Sequence, residues 1–394
     1  MRAVVYRGVN DLRLETVPVP RIRAGELLVK VAVCGVCPTD IKKIQHGTVP
    51  PPRIFGHETA GVISKLGSGV SDLGWKVGDR VALHHHVPCL DCHFCRHCAF
   101  AQCETYKRTG ITAGFDPAGG GYAEYVRVMP FVLPGVVKIP AKNSFAEGAL
   151  LEPVNTVLKA VRRLSLLRGD VVLVAGQGPI GLMFTRLLQL DGSRVVATDR
   201  LASRLKLARN FGAKWAVNPE SGRAELPLRR PAFPLFAPGG RRPGEVLSNL
   251  IRRVTRGRGL DAAVIAVPSD AVVRQALQWT RGGGQILLFA HTKRNYSGRA
   301  ELPLRRPAVP NPQPSTLNFP LDLATICVDE KDLLGSYSSD FTLQDEVARL
   351  VFSRQLDVRP LISHHFPLKQ TADAIALAAK PAADSLKILI AVDV

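Results

Sequence analysis

The chain has no long apolar run: no stretch of about 18 apolar residues, the length that spans a bilayer, occurs in its 394 residues. Its opening sequence, MRAVVYRGVNDLRLETVPVP, also lacks the apolar core of a secretory signal. We therefore expect no transmembrane helix, no membrane partner and a cytoplasmic location. Cysteine is scarce as well, with eight residues in all. Because cytosolic thiols are normally kept reduced, clustered cysteines in such a chain indicate metal binding and not disulfides.

Acidic residues are too few to balance the basic ones. The chain has 33 Asp and Glu against 52 Lys and Arg, which gives a formal net charge of +19. Such an excess is typical of nucleic-acid binders, whose affinity comes from Lys and Arg on phosphates. Here the basic residues are spread along the chain and form no basic helix or stripe interleaved with aromatic residues. This distribution favours a basic enzyme that attracts anionic cofactors, with no nucleic-acid partner.

The apolar residues that are present change their pattern near residue 154. Before it, short apolar or alternating runs broken by Gly and Pro predict a β-rich part. After it, apolar runs such as DVVLVA alternate with helical patterns such as LMFTRLLQL. Strands that alternate with helices predict a doubly wound parallel sheet, so the fold class is α/β.

One segment occurs twice. SGRAELPLRRPAFP (221–234) recurs as SGRAELPLRRPAVP (297–310). Two copies are not a solenoid, which needs at least three stacked repeats. Each copy is rich in Pro and Arg and stands where a strand gives way to a loop, so we predict two surface-loop insertions, 221–244 and 297–316. A binding function for the repeated segment is the alternative.

Five cysteines are concentrated in CLDCHFCRHCAFAQC, residues 89–103. Closely spaced thiolates in one short loop can surround a tetrahedral ion. The spacing departs from the ferredoxin pattern C-x₂-C-x₂-C-x₃-C-P, because Cys98 comes one residue early and Ala99 replaces the proline. The sequence therefore favours zinc over an iron–sulfur cluster. Four thiolates leave no open position, so we expect a structural zinc held by Cys89, Cys92, Cys95 and Cys103, with Cys98 as a spare thiol.

A glycine-rich turn, VVLVAGQGPIG, follows an apolar strand and opens a helix. Such glycines let the backbone approach a pyrophosphate at the helix N-terminus. Asp199 ends the next strand, where an acid accepts hydrogen bonds from ribose hydroxyls and repels a 2′-phosphate. The pattern predicts a dinucleotide site that prefers NAD to NADP. Arg204 packs on the adenine or is a solvated helix charge. The turn residues assigned to the cofactor are Gly176, Gly178, Pro179 and Gly181.

A further set of strings resembles the medium-chain zinc-dependent alcohol and polyol dehydrogenases, near the sorbitol and threonine dehydrogenases. These strings are GHETAGVISKLGSGV, CGVCPTD and LLEPVNT. The resemblance covers nearly the whole chain apart from the two insertions. It implies a GroES-like β-barrel catalytic domain (1–153, with the chain returning to it over 336–394) and a Rossmann domain between them (154–335).

The resemblance also implies a catalytic zinc, the second of two zinc ions per chain. Its ligands would be Cys37 and His57. Glu152 would be a further ligand, and Glu58 would bind the ion directly or through water; either glutamate could instead only hydrogen-bond to the ligands. A thiolate, an imidazole and carboxylates leave an exchangeable position. A metal there lowers the pKa of a bound hydroxyl.

The implied reaction is the reversible oxidation of a secondary alcohol, polyol or hydroxy amino acid by NAD(P). Thr39 would take the substrate proton. The ethanol-type enzymes pass it to a histidine at a position that is Lys42 here, so the exit of the relay is open. Lys387 matches a basic position near the pyrophosphate, and we expect a homodimer or homotetramer. The alternatives are a zinc-free-type quinone or enone reductase and a non-enzymatic nucleic-acid-binding zinc protein.

Overall fold

The computed structural model describes residues 1–84, 87–108, 120–220, 224–225, 245–290 and 321–392. Apart from residues 224–225, the insertions predicted at 221–244 and 297–316 lie outside this part of the chain.

The strands are short and run through most of the chain. They are β1 (Arg2–Gly8), β2 (Asp11–Thr16), β3 (Leu27–Gly35), β4 (Arg53–Ile54), β5 (Glu58–Leu66), β6 (Arg80–Leu83), β7 (Tyr125–Val128), β8 (Val136–Lys138), β9 (Val171–Ala175), β10 (Arg194–Thr198), β11 (Trp215–Val217), β12 (Ala224–Glu225), β13 (Leu260–Ile265), β14 (Thr280–Leu288), β15 (Asp332–Gly335), β16 (Ile362–Pro367) and β17 (Lys387–Ala391).

Helices are distributed along the chain, and most of the longer ones begin after residue 150. They are α1 (Pro38–His46), α2 (His93–Arg96), α3 (Glu104–Arg108), α4 (Phe145–Ala149), α5 (Leu151–Val161), α6 (Pro179–Leu190), α7 (Ala202–Asn210), α8 (Glu245–Val254), α9 (Asp270–Trp279), α10 (Leu323–Cys327), α11 (Gln344–Phe352) and α12 (Thr371–Ala379). No described helix is long and apolar enough to cross a membrane.

The strands from β9 to β15 form a sheet with the order β12-β11-β10-β9-β13-β14-β15. From β11 to β15 every pair is parallel, in the strand order 3-2-1-4-5-6 of a doubly wound fold. Successive residues of β9 point to opposite faces. Val172 and Val174 join the core under α5 and α6, whereas Leu173 joins the core under α8 and α9. The predicted doubly wound sheet is therefore confirmed.

The first copy of the repeated segment contributes an edge strand to this sheet. Ala216 and Val217 of β11 pair antiparallel with Glu225 and Ala224 of β12. We expected the insertion to lie entirely outside the sheet. That expectation is wrong for these two residues, because an edge strand offers free backbone groups to any neighbouring extended segment.

The first and last parts of the chain share a second sheet, with the order β16-β17-β3-β5-β6-β8 and β7 paired to β3. The strand β17 pairs antiparallel with β3, so the C-terminal strand lies beside the strand that leads into α1. A small sheet of β2, β1 and β4 packs next to it. This arrangement brings residues from both ends of the chain to one site.

The helix α5 joins the two sheets. It runs across the predicted division between residues 153 and 154, and its residues Val154, Val157 and Leu158 are buried. They belong to a core cluster that also contains Ala60 of the mixed sheet and Val172 of the parallel sheet. The domain boundaries themselves stay a prediction.

Candidate metal centres and dinucleotide site

Cys37 stands at the N-terminus of α1. It is the N-cap residue, and its Sγ accepts a hydrogen bond from the backbone N–H of Thr39 at 3.5 Å. Pro38 occupies the first position of the helix, where proline fits because its missing N–H is not needed. The positive end of a helix favours a negatively charged side chain, so this position suits a metal-binding thiolate.

His57 and Glu58 reach the same place from the start of β5. Glu58 pairs with Gly35 across the sheet. A Cβ atom on Gly35 would lie 1.8 Å from Glu58 Oε2, so only glycine leaves room for this carboxylate. As a result, one ligand atom each of Cys37, His57 and Glu58 lies within 4.8 Å of the others.

This donor set fits a divalent metal ion. Glu58 Oε2 is buried and has no hydrogen-bond partner among the described residues, and a buried carboxylate oxygen is costly without one. The other oxygen, Oε1, accepts a hydrogen bond from Lys387 Nζ at 2.5 Å. A thiolate, an imidazole and a carboxylate are ligands that zinc accepts. A bound metal ion would therefore supply the partner that Glu58 Oε2 lacks.

Asp40 orients His57. Its Oδ1 lies 3.2 Å from His57 Nδ1, and both side chains are buried. Burial opposes a charge on the imidazole, but Asp40 and Cys37 outweigh it and raise the pKa of His57 well above its usual value. A proton held on Nδ1 leaves Nε2 for a metal. Asp40 was not among our predicted site residues; its position three residues after Cys37, on the first turn of α1, was the available signal.

Glu152 lies on α5, outside the group of three. It is buried, and its pKa is raised to about 7, chiefly by burial, with His57 acting to lower the pKa and Glu58 to raise it. His57 and Glu58 are thus close enough to influence its charge. Direct binding of Glu152 to a metal stays a prediction.

Cys34, the other cysteine before α1, differs in its surroundings. It is buried with its Sγ 3.4 Å from Thr59 Oγ1, and burial raises the pKa of its thiol to about 12. A thiol that stays protonated is a poor metal ligand. This agrees with the interpretation of Cys37, and not Cys34, as the ligand.

The cysteine-rich loop brings its four predicted ligands together. Their sulfur atoms all lie within 4.8 Å of one another. The separations are 3.9 Å for Cys89–Cys95, 3.5 Å for Cys92–Cys95 and 3.7 Å for Cys89–Cys103. Four sulfurs at about 2.3 Å from a tetrahedral zinc would be about 3.8 Å apart. Cys98 is exposed and is not part of this group.

The glycine-rich turn lies between β9 and α6. Gly176 has a φ of +92°, which favours glycine. A Cβ on Gly181 would lie 1.8 Å from the Gly176 carbonyl oxygen, so the helix can approach the strand only without that atom. Gly178 is the N-cap of α6, and a Cβ there would meet no atom within 4 Å. The open space at this helix N-terminus is where a pyrophosphate would fit.

Asp199 and Arg204 lie beside this turn. Asp199 Oδ2 accepts a hydrogen bond from the Gln177 N–H at 2.7 Å, and its Oδ1 accepts one from the Leu201 N–H at 2.9 Å. Arg204 Nη1 lies 4.0 Å from Asp199 Oδ2. The structure thus brings the predicted cofactor residues of β9, α6, β10 and α7 together.

Lys387 is placed at the metal group. Its Nζ donates to Glu58 Oε1 and also to the Val36 carbonyl oxygen at 2.9 Å. Two of its three donors are therefore used there. A contact of Lys387 with the pyrophosphate stays a prediction. The pairing with Glu58 could not be foreseen, because the two residues lie 329 positions apart.

Comparisons with known proteins find dehydrogenase domains, and proteins named as dehydrogenases or reductases. The alcohol dehydrogenase GroES-like domain matches residues 23–141, and the zinc-binding dehydrogenase domain matches residues 179–350. The sorbitol dehydrogenase of Bacillus subtilis is 27% identical over 99% of this chain and 97% of its own length. The D-xylulose reductase A of Aspergillus oryzae is 28% identical over 91% of this chain and 88% of its own. An alcohol dehydrogenase from a Thermus species has a similar structure, with a TM-score of 0.75, 25% identity and full coverage of both chains.

Proposed function

Since the chain belongs to the medium-chain zinc-dependent dehydrogenases, with a GroES-like domain and a Rossmann domain, we propose that it oxidises a secondary alcohol or polyol at the group formed by Cys37, His57 and Glu58. The observation that supports this site is Glu58 Oε2, which is buried, has no hydrogen-bond partner among the described residues and lies next to the Cys37 sulfur and the His57 imidazole. The similarity to sorbitol dehydrogenase and xylulose reductase supports a polyol as substrate. A hydroxy amino acid is the other substrate class that the sequence leaves open.

Bound zinc would supply Lewis acidity to the substrate hydroxyl, and bound NAD(P) would accept the hydride. The residues of the chain bind and orient. Asp40 orients the imidazole of His57, and Lys387 hydrogen-bonds one oxygen of Glu58. The atoms that would bind the metal are therefore in place before the metal and the substrate bind. Such prearranged donors reduce the cost of organising the transition state.

Thr39 is the proposed first acceptor of the substrate proton. Its backbone N–H donates to Cys37 Sγ, so the residue itself is held next to the metal group. Lys42 lies one turn further along α1, at the position where ethanol-type relatives have the relay histidine. The relay in this chain therefore continues from Thr39 without an imidazole at that position.

The cofactor would bind at the glycine turn, with Gly178 and Pro179 at the pyrophosphate and Asp199 at the ribose. Asp199 supports a preference for NAD over NADP, because a carboxylate there repels a 2′-phosphate. Arg204, held beside Asp199, is the proposed adenine contact.

The remaining proposals concern the whole protein. We propose two zinc ions per chain, one in each of the two donor groups. A homodimer or homotetramer in the cytoplasm is the assembly and location that we propose. The intact donor set of Cys37, His57 and Glu58 favours a zinc enzyme over a zinc-free quinone or enone reductase.

A panel of alcohols, sugar alcohols and hydroxy amino acids, monitored by NADH absorbance, tests the function. We expect turnover with at least one secondary alcohol or polyol, and elemental analysis should find two zinc ions per chain. Reduction of quinones or enones without any alcohol oxidation would overturn the proposal. Size-exclusion chromatography of the same sample gives the oligomeric state.

A further inference from the structure

Tyr122 is a buried tyrosine that the proposed reaction does not use. It is completely buried, and it follows three glycines, of which Gly120 and Gly121 are described. Its hydroxyl lies 3.3 Å from the Gly35 carbonyl oxygen and 3.5 Å from Asp40 Oδ2. Burying a phenol hydroxyl without a hydrogen-bond partner would cost free energy. These two acceptors offset that cost.

The backbone around Tyr122 fastens it to the segment that leads into His57. The Tyr122 N–H donates to the Phe55 carbonyl oxygen at 3.0 Å, and the Gly121 N–H donates to the Gly56 carbonyl oxygen at 2.8 Å. Gly56 has a φ of +98°, and a Cβ on it would lie 2.8 Å from the Tyr122 ring. The ring therefore packs directly on the glycine that precedes His57.

Asp40 connects the two sides. Its Oδ1 faces His57 Nδ1, whereas its Oδ2 faces the Tyr122 hydroxyl. Asp40 is completely buried, so removal of the hydroxyl leaves Oδ2 without this partner and away from bulk water. A carboxylate that loses one of its two partners is free to rotate about its last bond, and the imidazole that it orients would lose its fixed direction.

We propose that Tyr122 is a positioning residue of the catalytic centre, which holds Asp40 and through it sets the direction of His57 toward the metal. This inference rests on the proposed zinc group of Cys37, His57 and Glu58. It extends the site by one hydrogen bond beyond the residues that touch the donor atoms. The described contacts form the chain Tyr122–Asp40–His57 on one side and Lys387–Glu58 on the other.

The test removes only the hydroxyl, in Tyr122→Phe. The affinity of the purified protein for zinc is measured by competition with a chromophoric chelator, and Cys37→Ala identifies which of the two ions belongs to the catalytic group. Loss of a partner behind a ligand typically costs about ten- to a hundredfold in metal affinity. We expect about a tenfold loss for this ion in Tyr122→Phe, no change for the Cys₄ ion, and a lower kcat with an unchanged KM for NAD.

Tyr6→Phe is the matched control. Tyr6 is a second buried tyrosine of the same core cluster, with its ring against Phe55. Removal of its hydroxyl should leave zinc affinity and kcat at the parental values. A change of unfolding temperature alone in Tyr122→Phe, with parental zinc affinity, would show a merely structural role and overturn the inference.

A double-mutant cycle with Asp40→Asn tests the route. If Tyr122 acts through Asp40, the double variant should lose little more zinc affinity than Asp40→Asn alone. Fully additive losses would contradict it. If Cys37→Ala retains both zinc ions, the proposed zinc group itself is wrong, and this outcome is distinct from failure of the Tyr122 inference.

Discussion

The carboxylate of Glu58 has two different environments within one residue. Oε1 is paired with the ammonium of Lys387, whereas Oε2 lies in the group with Cys37 and His57 without a hydrogen-bond partner in the described part of the chain. When His57 is a neutral metal ligand, the ionised forms of Cys37, Glu58 and Asp40 carry three negative charges against one positive charge on Lys387. Buried net charge is strongly unfavourable. A dication would bring the group to neutrality, which is the electrostatic reason for a metal there.

The two metal groups should respond differently to loss of one thiolate. We expect Cys37→Ala to abolish turnover and to remove one zinc ion while the Cys₄ ion remains bound. Cys92→Ala should instead lower the unfolding temperature of the protein, because a closed tetrahedral site stabilises the loop that it crosses. Zinc analysis, kcat and thermal unfolding of both variants check this. The opposite pattern would mean that the structural and catalytic assignments are exchanged.

The cofactor preference should depend on Asp199. In Asp199→Ala we expect a higher KM for NAD and better relative use of NADP, because the carboxylate that repels a 2′-phosphate is gone. One hydrogen bond to a charged group is worth about 1.5–3 kcal/mol, or roughly ten- to a hundredfold. Asp199→Asn removes the charge but keeps an oxygen that can accept the hydrogen bond from the Gln177 N–H. Comparison of the two variants therefore separates the effect of the charge from the effect of a loosened turn.

Asp191→Ala is the control for this prediction. Asp191 lies at the opposite end of α6 from the glycine turn, so its removal should leave both KM values unchanged. An unchanged preference in Asp199→Ala would show that Asp199 does not face the ribose. The measurement is steady-state kinetics with NAD and NADP on the same preparations.

At the scale of elements, hydrogen bonds connect α5 to the segment that follows β15. Asn155 of α5 exchanges two hydrogen bonds with the backbone of Asp340, at 2.9 and 2.8 Å. Lys159, one turn later, donates to the Tyr337 carbonyl oxygen. On the other side, Tyr106, which follows the last cysteine of the Cys₄ group, hydrogen-bonds Ser338. The helix that carries Glu152 is thus connected to the Cys₄ loop through one short segment.

The start of α4 is stabilised by a capping box. Glu147 accepts hydrogen bonds from the N–H and the hydroxyl of Ser144, and also from Asn143 and Arg354. Burial opposes its ionisation, but these hydrogen bonds outweigh burial and lower the pKa of Glu147 below its usual value. The ionised form therefore stabilises the fold above a pH of about 4.3, and this contribution is lost as the pH falls through the lower pKa of the folded state.

Glu147→Gln should reveal this contribution. At pH 7 we expect the variant to be less stable by about 1.5–3 kcal/mol, the typical value of hydrogen bonds to a charged group. The difference from the parent should shrink as the pH is lowered, because the parent then loses the ionised form. Urea unfolding at several pH values measures it. Glu245→Gln, at an exposed residue of α8, is the control and should change stability by less than about 0.5 kcal/mol; an equal effect in both variants would contradict the capping argument.

At the scale of the whole molecule, the parallel sheet tolerates additions at one edge. In the described part of the chain, β12 pairs with two residues of β11, and the parallel strands from β11 to β15 form a continuous sheet without it. The repeated segment SGRAELPLRRPA contains few large apolar residues and cannot build a core of its own.

Removing both insertions should therefore leave a working enzyme. We predict that excision of residues 221–244 and 297–316 keeps kcat/KM within about threefold of the parent, a change of under ~1 kcal/mol in transition-state stabilisation. Steady-state kinetics and size-exclusion chromatography check the double deletion. The two single deletions serve as controls, because only the first removes β12. Loss of NAD binding in a folded deletion variant would show that the arginines of the repeat serve the cofactor.

The sequence by itself was enough for features that depend on neighbouring residues. The glycine turn between β9 and α6 follows from local backbone requirements, and four of the five cysteines of residues 89–103 can reach one ion because a short loop keeps them close. The alternation of strands and helices likewise predicted the parallel sheet. The family resemblance correctly implied a zinc-dependent dehydrogenase with a GroES-like domain and a Rossmann domain.

Only the tertiary structure decided how distant residues pair. Lys387 lies 329 positions from Glu58 and Tyr122 lies 82 positions from Asp40, and no local pattern relates such residues. These pairs form because β17 and β5 both flank β3, and because the Gly121–Tyr122 backbone is hydrogen-bonded to the segment before His57. The physical reason is that strand pairing and burial act between segments that the chain brings together only on folding. A buried carboxylate then forms its hydrogen bonds and ion pairs with the donors and cations that the fold places beside it.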